Sequence, residues 1–157
     1  MRSTPLRTIL AAGLLCGALD ITAAIVVYGR FGATPLRILQ GIAAGLLGPR
    51  ASDGGLATAV LGLVCHFTIA LGAAAVFAAL ARRVPALIAY PWPSGALYGI
   101  AVFFFMNRVV VPLSRAHKST FSWKIMWMGL AIHVVCVGLP IALVVRRGFG
   151  LKARRPG

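Results

Sequence analysis

Acidic side chains are almost missing from this sequence. Glutamate is absent, aspartate occurs only at Asp20 and Asp53, and 16 Lys+Arg residues leave a formal charge of +14. Chemistry built on paired carboxylates therefore has almost no material to work with. Charged residues of either sign make up 11% of the chain against 60% hydrophobic residues, and mean hydropathy is +0.92. That balance argues against a water-soluble globular enzyme. Cysteine is sparse as well. Cys16, Cys65 and Cys136 each lie inside an apolar run with no C-x-x-C or His/Cys ligand spacing, so they read as small buried apolar residues rather than redox or metal centres. No nucleophile, metal cluster or phosphate loop can be named, and an enzyme is not expected.

What the 157 residues do contain is long apolar runs. Four stretches, 8–29, 55–81, 96–113 and 125–145, carry one charge or none and are long enough to cross a bilayer core as helices. They are continuous rather than alternating, which favours helices over a barrel. The expected fold is an all-α, four-transmembrane-helix bundle forming a single membrane domain over 1–157. The first apolar run continues past Asp20 to Tyr28, longer than a signal-peptide core, and Leu15 stands where a lipoprotein cleavage site needs a small residue. Retention of the first span is expected.

The basic residues border these runs. Arg2, Arg7, Arg82, Arg83, Arg146, Arg147, Lys152, Arg154 and Arg155 fall on one side, with Arg30, Arg37, Arg50, Arg115, Lys118 and Lys124 on the other. The excess on the first side places both termini in the cytoplasm. This distribution points to the lipid bilayer and its anionic lipids as partners, and not to nucleic acid.

Between the first two spans, Thr34-Pro35 is a good N-cap and first-turn proline. It opens a short helix over 35–48 with Leu36, Leu39, Ala43, Leu46 and Leu47 on one face. That helix is too short to span, and reads as interfacial or re-entrant, offering Arg37 and Gln40 to the headgroup region. Tyr90, Trp92, Trp123 and Trp127 flank the third and fourth spans, where aromatic belts lie. Pro91-Trp92-Pro93 reads as a stiff turn. Gly13-x-x-x-Gly17, Gly41-x-x-x-Gly45 and Gly95-x-x-x-Gly99 offer surfaces where backbones approach closely, within the chain or in a homo-oligomer. There is no internal repeat of the kind from which transporters are built.

The informative residues are polar ones inside the spans: Asp20, His66, Asn107, Arg108 and His133. Counted from the cytoplasmic end of each helix, Asp20, Arg108 and His133 lie near 18 Å, roughly, and His66 near about 22 Å. All fall in one layer. Asp20 is the sole acid within a span, so Arg108 or a protonated histidine is its natural counter-ion. Such a layer can be a hydrogen-bonded lock that holds the bundle in register. It can also titrate, since histidine changes charge near neutral pH, which is the chemistry of a proton relay, a pH sensor or a proton-coupled solute path. Paired on different helices, His66 and His133 could also supply axial nitrogens to a haem, although no cofactor is otherwise indicated. His117 reads as solvated loop. Gly138-Leu139-Pro140 interrupts the fourth span and can kink it.

The order Val64-Cys65-His66-Phe67, then Ser94-Gly95-Ala96-Leu97-Tyr98-Gly99 leading to Asn107 and Val111-Pro112-Leu113, then Gly129-Leu130-Ala131-Ile132-His133 ending in Arg146-Arg147, resembles the YagU-like small inner-membrane proteins of bacteria. The resemblance covers spans 2 to 4 and implies a loose link to acid tolerance. His66, Pro112 and His133 match that pattern, whereas Asn107 stands where a histidine is expected and Asp20 where a small polar residue is more usual. Composition, layer and resemblance together lead to an expected inner-membrane transport or pH-response protein. A structural or accessory subunit of a larger membrane complex is the alternative.

Overall fold

A computed structural model describes residues 4–116 and 122–149, and every element among them is helical. Four helices are long and apolar enough to cross a membrane: Pro5–Gly29, Gly55–Arg83, Pro91–Leu113 and Trp123–Phe149. Their outward faces are apolar. Leu56, Leu97, Trp92 and Trp127 are all well over half exposed, and no more than 33% of any span's most apolar window is buried within the bundle. His117, Lys118, Arg2, Lys152, Arg154 and Arg155 lie outside the described residues.

Helix α1 (Pro5–Gly29) starts where the Thr4 hydroxyl accepts from the Arg7 amide at 3.4 Å, with Pro5 in the first turn. Thr34 and Pro35 repeat that arrangement at the start of α2 (Pro35–Leu47). After a 3-10 turn, Gly48–Ser52, helix α3 (Gly55–Arg83) runs back along α1.

Helix α2 does not present Gln40 to its surroundings as the sequence suggested. Gln40 is 2% exposed, and its Nε2 donates to the Gly55 carbonyl at 3.0 Å. Thr58, one turn on, donates to the Ala51 carbonyl at 2.7 Å. The first turn of α3 supplies the polar partners that draw the amide inward. The crossing is close, because a Cβ at Gly62 would strike the Leu39 carbonyl. The face of α2 turned to α3 is therefore Gln40 with Ala43, while Leu36, Leu46 and Leu47 point outward.

A short helix, α4 (Ala86–Ala89), connects to α5 (Pro91–Phe105). The expected turn at Pro91-Trp92-Pro93 is instead the first turn of α5, where a proline sacrifices no hydrogen bond. The third long helix then passes through a π-helical stretch, Met106–Val110, into the single turn α6 (Val111–Leu113). The fourth consists of α7 (Trp123–Ile132), a second π-helical stretch, His133–Gly138, and α8 (Leu139–Phe149).

Small residues set the packing. Gly13 and Gly17 of α1 lie against Leu71, Phe67 and Ala70 of α3. A side chain at Gly99 of α5 would sit 2.6 Å from the His133 carbonyl oxygen, and one at Gly138 would strike the Gly95 carbonyl. Helix α8 packs on both α1 and α5, whereas α7 touches them only lightly. The terminal half of the bundle is consequently closed by a tight core of Ala12, Cys16, Ala74, Phe77, Ile141, Ala142 and Val145. At the opposite end, Arg115 N–H donates to the Gly45 carbonyl at 2.9 Å, and the Lys124 ammonium lies 4.9 Å from the Phe31 ring centre. Two of the three expected glycine surfaces thus meet other helices. Gly41 has open space around it.

These contacts separate the glycines experimentally. Gly138→Ala should destabilise the folded chain by about 1–3 kcal/mol through overpacking, whereas Gly41→Ala should be neutral or stabilising by up to about 1 kcal/mol. Thermal unfolding in detergent measures both.

Candidate functional site

Proline explains where the polar residues sit. It lacks an N–H, and its ring collides with the carbonyl four residues earlier in an α-helix. Pro112 and Pro140 each follow directly on a widened turn. Val111 N–H reaches back five residues to the Met106 carbonyl, and Leu139 N–H does the same to Val134. Such π-type turns let a helix absorb a residue that α geometry cannot accommodate, and they occur often at functional sites. Asn107 and Arg108 lie in the first of them, and His133 opens the second.

All five polar residues singled out from the sequence line one cavity of about 760 Å³. It lies where α7 diverges from α1 and α5. Tyr28, Ile42, Pro112 and Ser122 line its end away from the terminal core. Asp20, His66, Asn107, Arg108 and His133 form the middle, and Cys16, Ala70, Ala73, Phe103 and Val137 the apolar floor. Tyr98 braces that floor, donating from its hydroxyl to the Ala73 carbonyl at 2.7 Å and meeting the Phe77 ring edge-on at 5.0 Å.

Of the two counter-ions open to Asp20, the structure selects a histidine. His66 Nε2 is 2.8 Å from the Gly17 carbonyl oxygen. A carbonyl can only accept, so Nε2 carries a hydrogen and donates. That leaves Nδ1 facing the Asp20 carboxylate at 4.0 Å, with the two side chains 12% and 19% exposed respectively. The gap exceeds a direct hydrogen bond and suits a bridging water. With Nε2–H committed to Gly17, His66 turns its other ring nitrogen towards the Asp20 carboxylate. Gly17 makes this possible, since any larger residue there would collide with the Phe67 ring.

His133 has the opposite tautomer. Its Nδ1 lies 2.9 Å from the Gly129 carbonyl and so donates, and its ring rests edge-on against Phe103 at 5.4 Å. Asn107 Nδ2 donates to the Phe103 carbonyl at 2.9 Å. Arg108 is exposed and makes no hydrogen bond or ion pair among the described residues. The two histidines do share a cavity, as haem ligation would require. His66, however, has committed Nε2 to Gly17, and the nitrogen left for iron faces Asp20 instead. No group of three or more His, Cys, Asp or Glu side chains that could hold a metal ion occurs among the described residues.

Sequence reasoning missed the Gly17 carbonyl as a partner, and Tyr28, Phe103 and Ser122 as lining residues. The widened turns had a readable signal. A polar residue precedes each proline, five positions earlier at Asn107 and seven at His133, with valines between. No family model, curated protein or solved structure matches the chain.

Accessibility to water-soluble reagents tests the cavity directly. In a chain with Cys65 and Cys136 replaced by alanine, Asn107→Cys should react with a charged methanethiosulfonate at least about tenfold faster than the fully buried Cys16. Equal rates would mean that water does not reach the middle of the cavity.

Proposed function

We propose that this chain spans a bacterial inner membrane four times, with both termini in the cytoplasm, and works as a proton-linked transport or pH-response protein. It would belong with the YagU-like proteins that its spans 2 to 4 resemble. The apolar exterior of the long helices supports the membrane placement, since lipid is the solvent that such a surface requires. Basic residues at both ends of the bundle suit anionic headgroups. In this orientation the end of the cavity lined by Tyr28 and Ser122 lies towards the periplasm.

The observation that carries the functional reading is the Asp20–His66 pair, a carboxylate and an imidazole 4.0 Å apart on the wall of a cavity of about 760 Å³. An unpaired polar group at that depth costs several kcal/mol, roughly, so intramembrane ionisable residues are kept where they work on ions or protons. The alanine-rich core closes the cytoplasmic half, so transport would need that end to open in turn. The widened turns at Met106–Val110 and His133–Gly138 are the natural hinges. Four helices are few for a solute pathway, which favours a homo-oligomer. Catalysis forms no part of this reading.

Proton flux in proteoliposomes under an imposed pH gradient is the test. His66→Ala and His133→Ala should each lower flux by about tenfold or more while keeping helix content. An absence of flux above empty liposomes, with Asp20→Asn lowering thermal stability, would instead mark the polar layer as a lock in an accessory subunit.

A further inference from the structure

Charge bookkeeping around the cavity leaves one cation without an internal partner. The chain has two acids. Asp20 faces His66, and Asp53 is exposed at the end of the 3-10 turn and does not line the cavity. Residues 117–121, next to Ser122 in sequence, contain no acid either. Arg108 lines the cavity with no ion pair among the described residues. A guanidinium does not shed its proton, and an exposed one within the proposed membrane span needs a counter-charge from outside the chain. An anion brought in from outside would supply both the charge and a planar, two-point hydrogen-bond acceptor.

The rest of the cavity limits what carries that anion. Below the polar layer its walls are Ala70, Ala73, Val102, Phe103 and Val137. One side is not closed. Helices α3 and α5 are not packed along their length, and the contact between them is made by Tyr98 against Ala73 and Phe77. Ile69 of α3 and Phe104 of α5 both line the cavity and remain 40% and 43% exposed. In a membrane the exposed parts of these two side chains meet acyl chains. Asp20 lines the same cavity, and its carboxylate disfavours a second negative charge on the ligand.

We infer that the cavity binds an amphipathic monoanion, with an oxyacid headgroup on the Arg108 guanidinium and an apolar tail along Ile69, Ala73, Val102 and Phe104 that enters between α3 and α5. This rests on the membrane placement proposed above, not on proton flux. A fatty-acid carboxylate and the phosphate of an anionic phospholipid share this chemistry.

The experiment is equilibrium binding of radiolabelled decanoate to the full chain in phosphatidylcholine nanodiscs, corrected with empty discs, and without a pH gradient. Saturable binding is expected. It should weaken roughly ten- to a hundredfold in Arg108→Gln and be retained in Arg108→Lys. Arg108 has no partner among the described residues, so neither change breaks a contact, and circular dichroism confirms the fold. Decanol and decyltrimethylammonium should fail to compete. Phosphatidylglycerol added to the discs distinguishes the sources: displacement of decanoate assigns the site to a phospholipid headgroup, and lack of displacement to a free carboxylate. Unsaturable binding, equal affinity in Arg108→Gln, or displacement by decyltrimethylammonium would overturn the inference. Binding that persists where histidine-dependent flux is absent would retain this site while removing the proton-linked reading, and the converse would do the opposite.

Discussion

A proline inside a long helix leaves a carbonyl without its donor, and that carbonyl must then move aside. In this chain the accommodation is the same at Pro112 and Pro140: a turn widened to reach back five residues rather than four. Much of the architecture follows from the second of these. Up to His133–Gly138 the fourth long helix stands away from α1 and α5, and beyond it α8 settles against both. The cavity is the space left by the first segment, and the alanine-rich core is the result of the second. The widened turns also bring the polar side chains to the opening they create, so the irregular backbone and the unusual residues occupy the same few positions.

Close backbone approach makes the closed half possible. The long helices bury only a small part of their apolar surface within the bundle, so close contact comes from shape, and glycine and alanine provide it. Gly95 and Gly99 admit the widened backbone around Gly138, while Gly13 and Gly17 admit α3. The Gly17 contact does a second job. It lets His66 come within hydrogen-bonding distance of the Gly17 carbonyl, fixing the tautomer that turns Nδ1 towards Asp20. Helix packing and the orientation of the histidine ring are thus joined at a single residue without a side chain.

Much of this was legible in the sequence, and the limits have physical causes. An uncharged run of some twenty apolar residues has few structural solutions, and Thr4-Pro5 and Thr34-Pro35 mark helix starts by local chemistry alone. Counting residues along each helix places Asp20, His66, Asn107, Arg108 and His133 at similar heights, because rise per residue is fixed. Which of them face one another depends on helix rotation, which no count supplies. Gln40 looked like a headgroup ligand because its burial depends on carbonyls and hydroxyls eleven to eighteen residues away, at Ala51, Gly55 and Thr58. Gly41 and Gly99 sit in the same spacing pattern, yet one meets open space and the other a neighbouring backbone. A glycine's role is decided by what arrives beside it.

The bond from Arg115 N–H to the Gly45 carbonyl joins two parts of the bundle that otherwise have separate allegiances. Helix α2 is fastened to α3 through Gln40 and Gly62, while Arg115 follows directly from the third long helix. The clasp is made entirely of main chain. Sequence drift at either position can alter charge, size or polarity without loosening it, and among the natural amino acids only proline at 115 would remove the donor. That join is therefore buffered against mutation, whereas a contact such as Gly17 against Phe67, which depends on a missing side chain, is not.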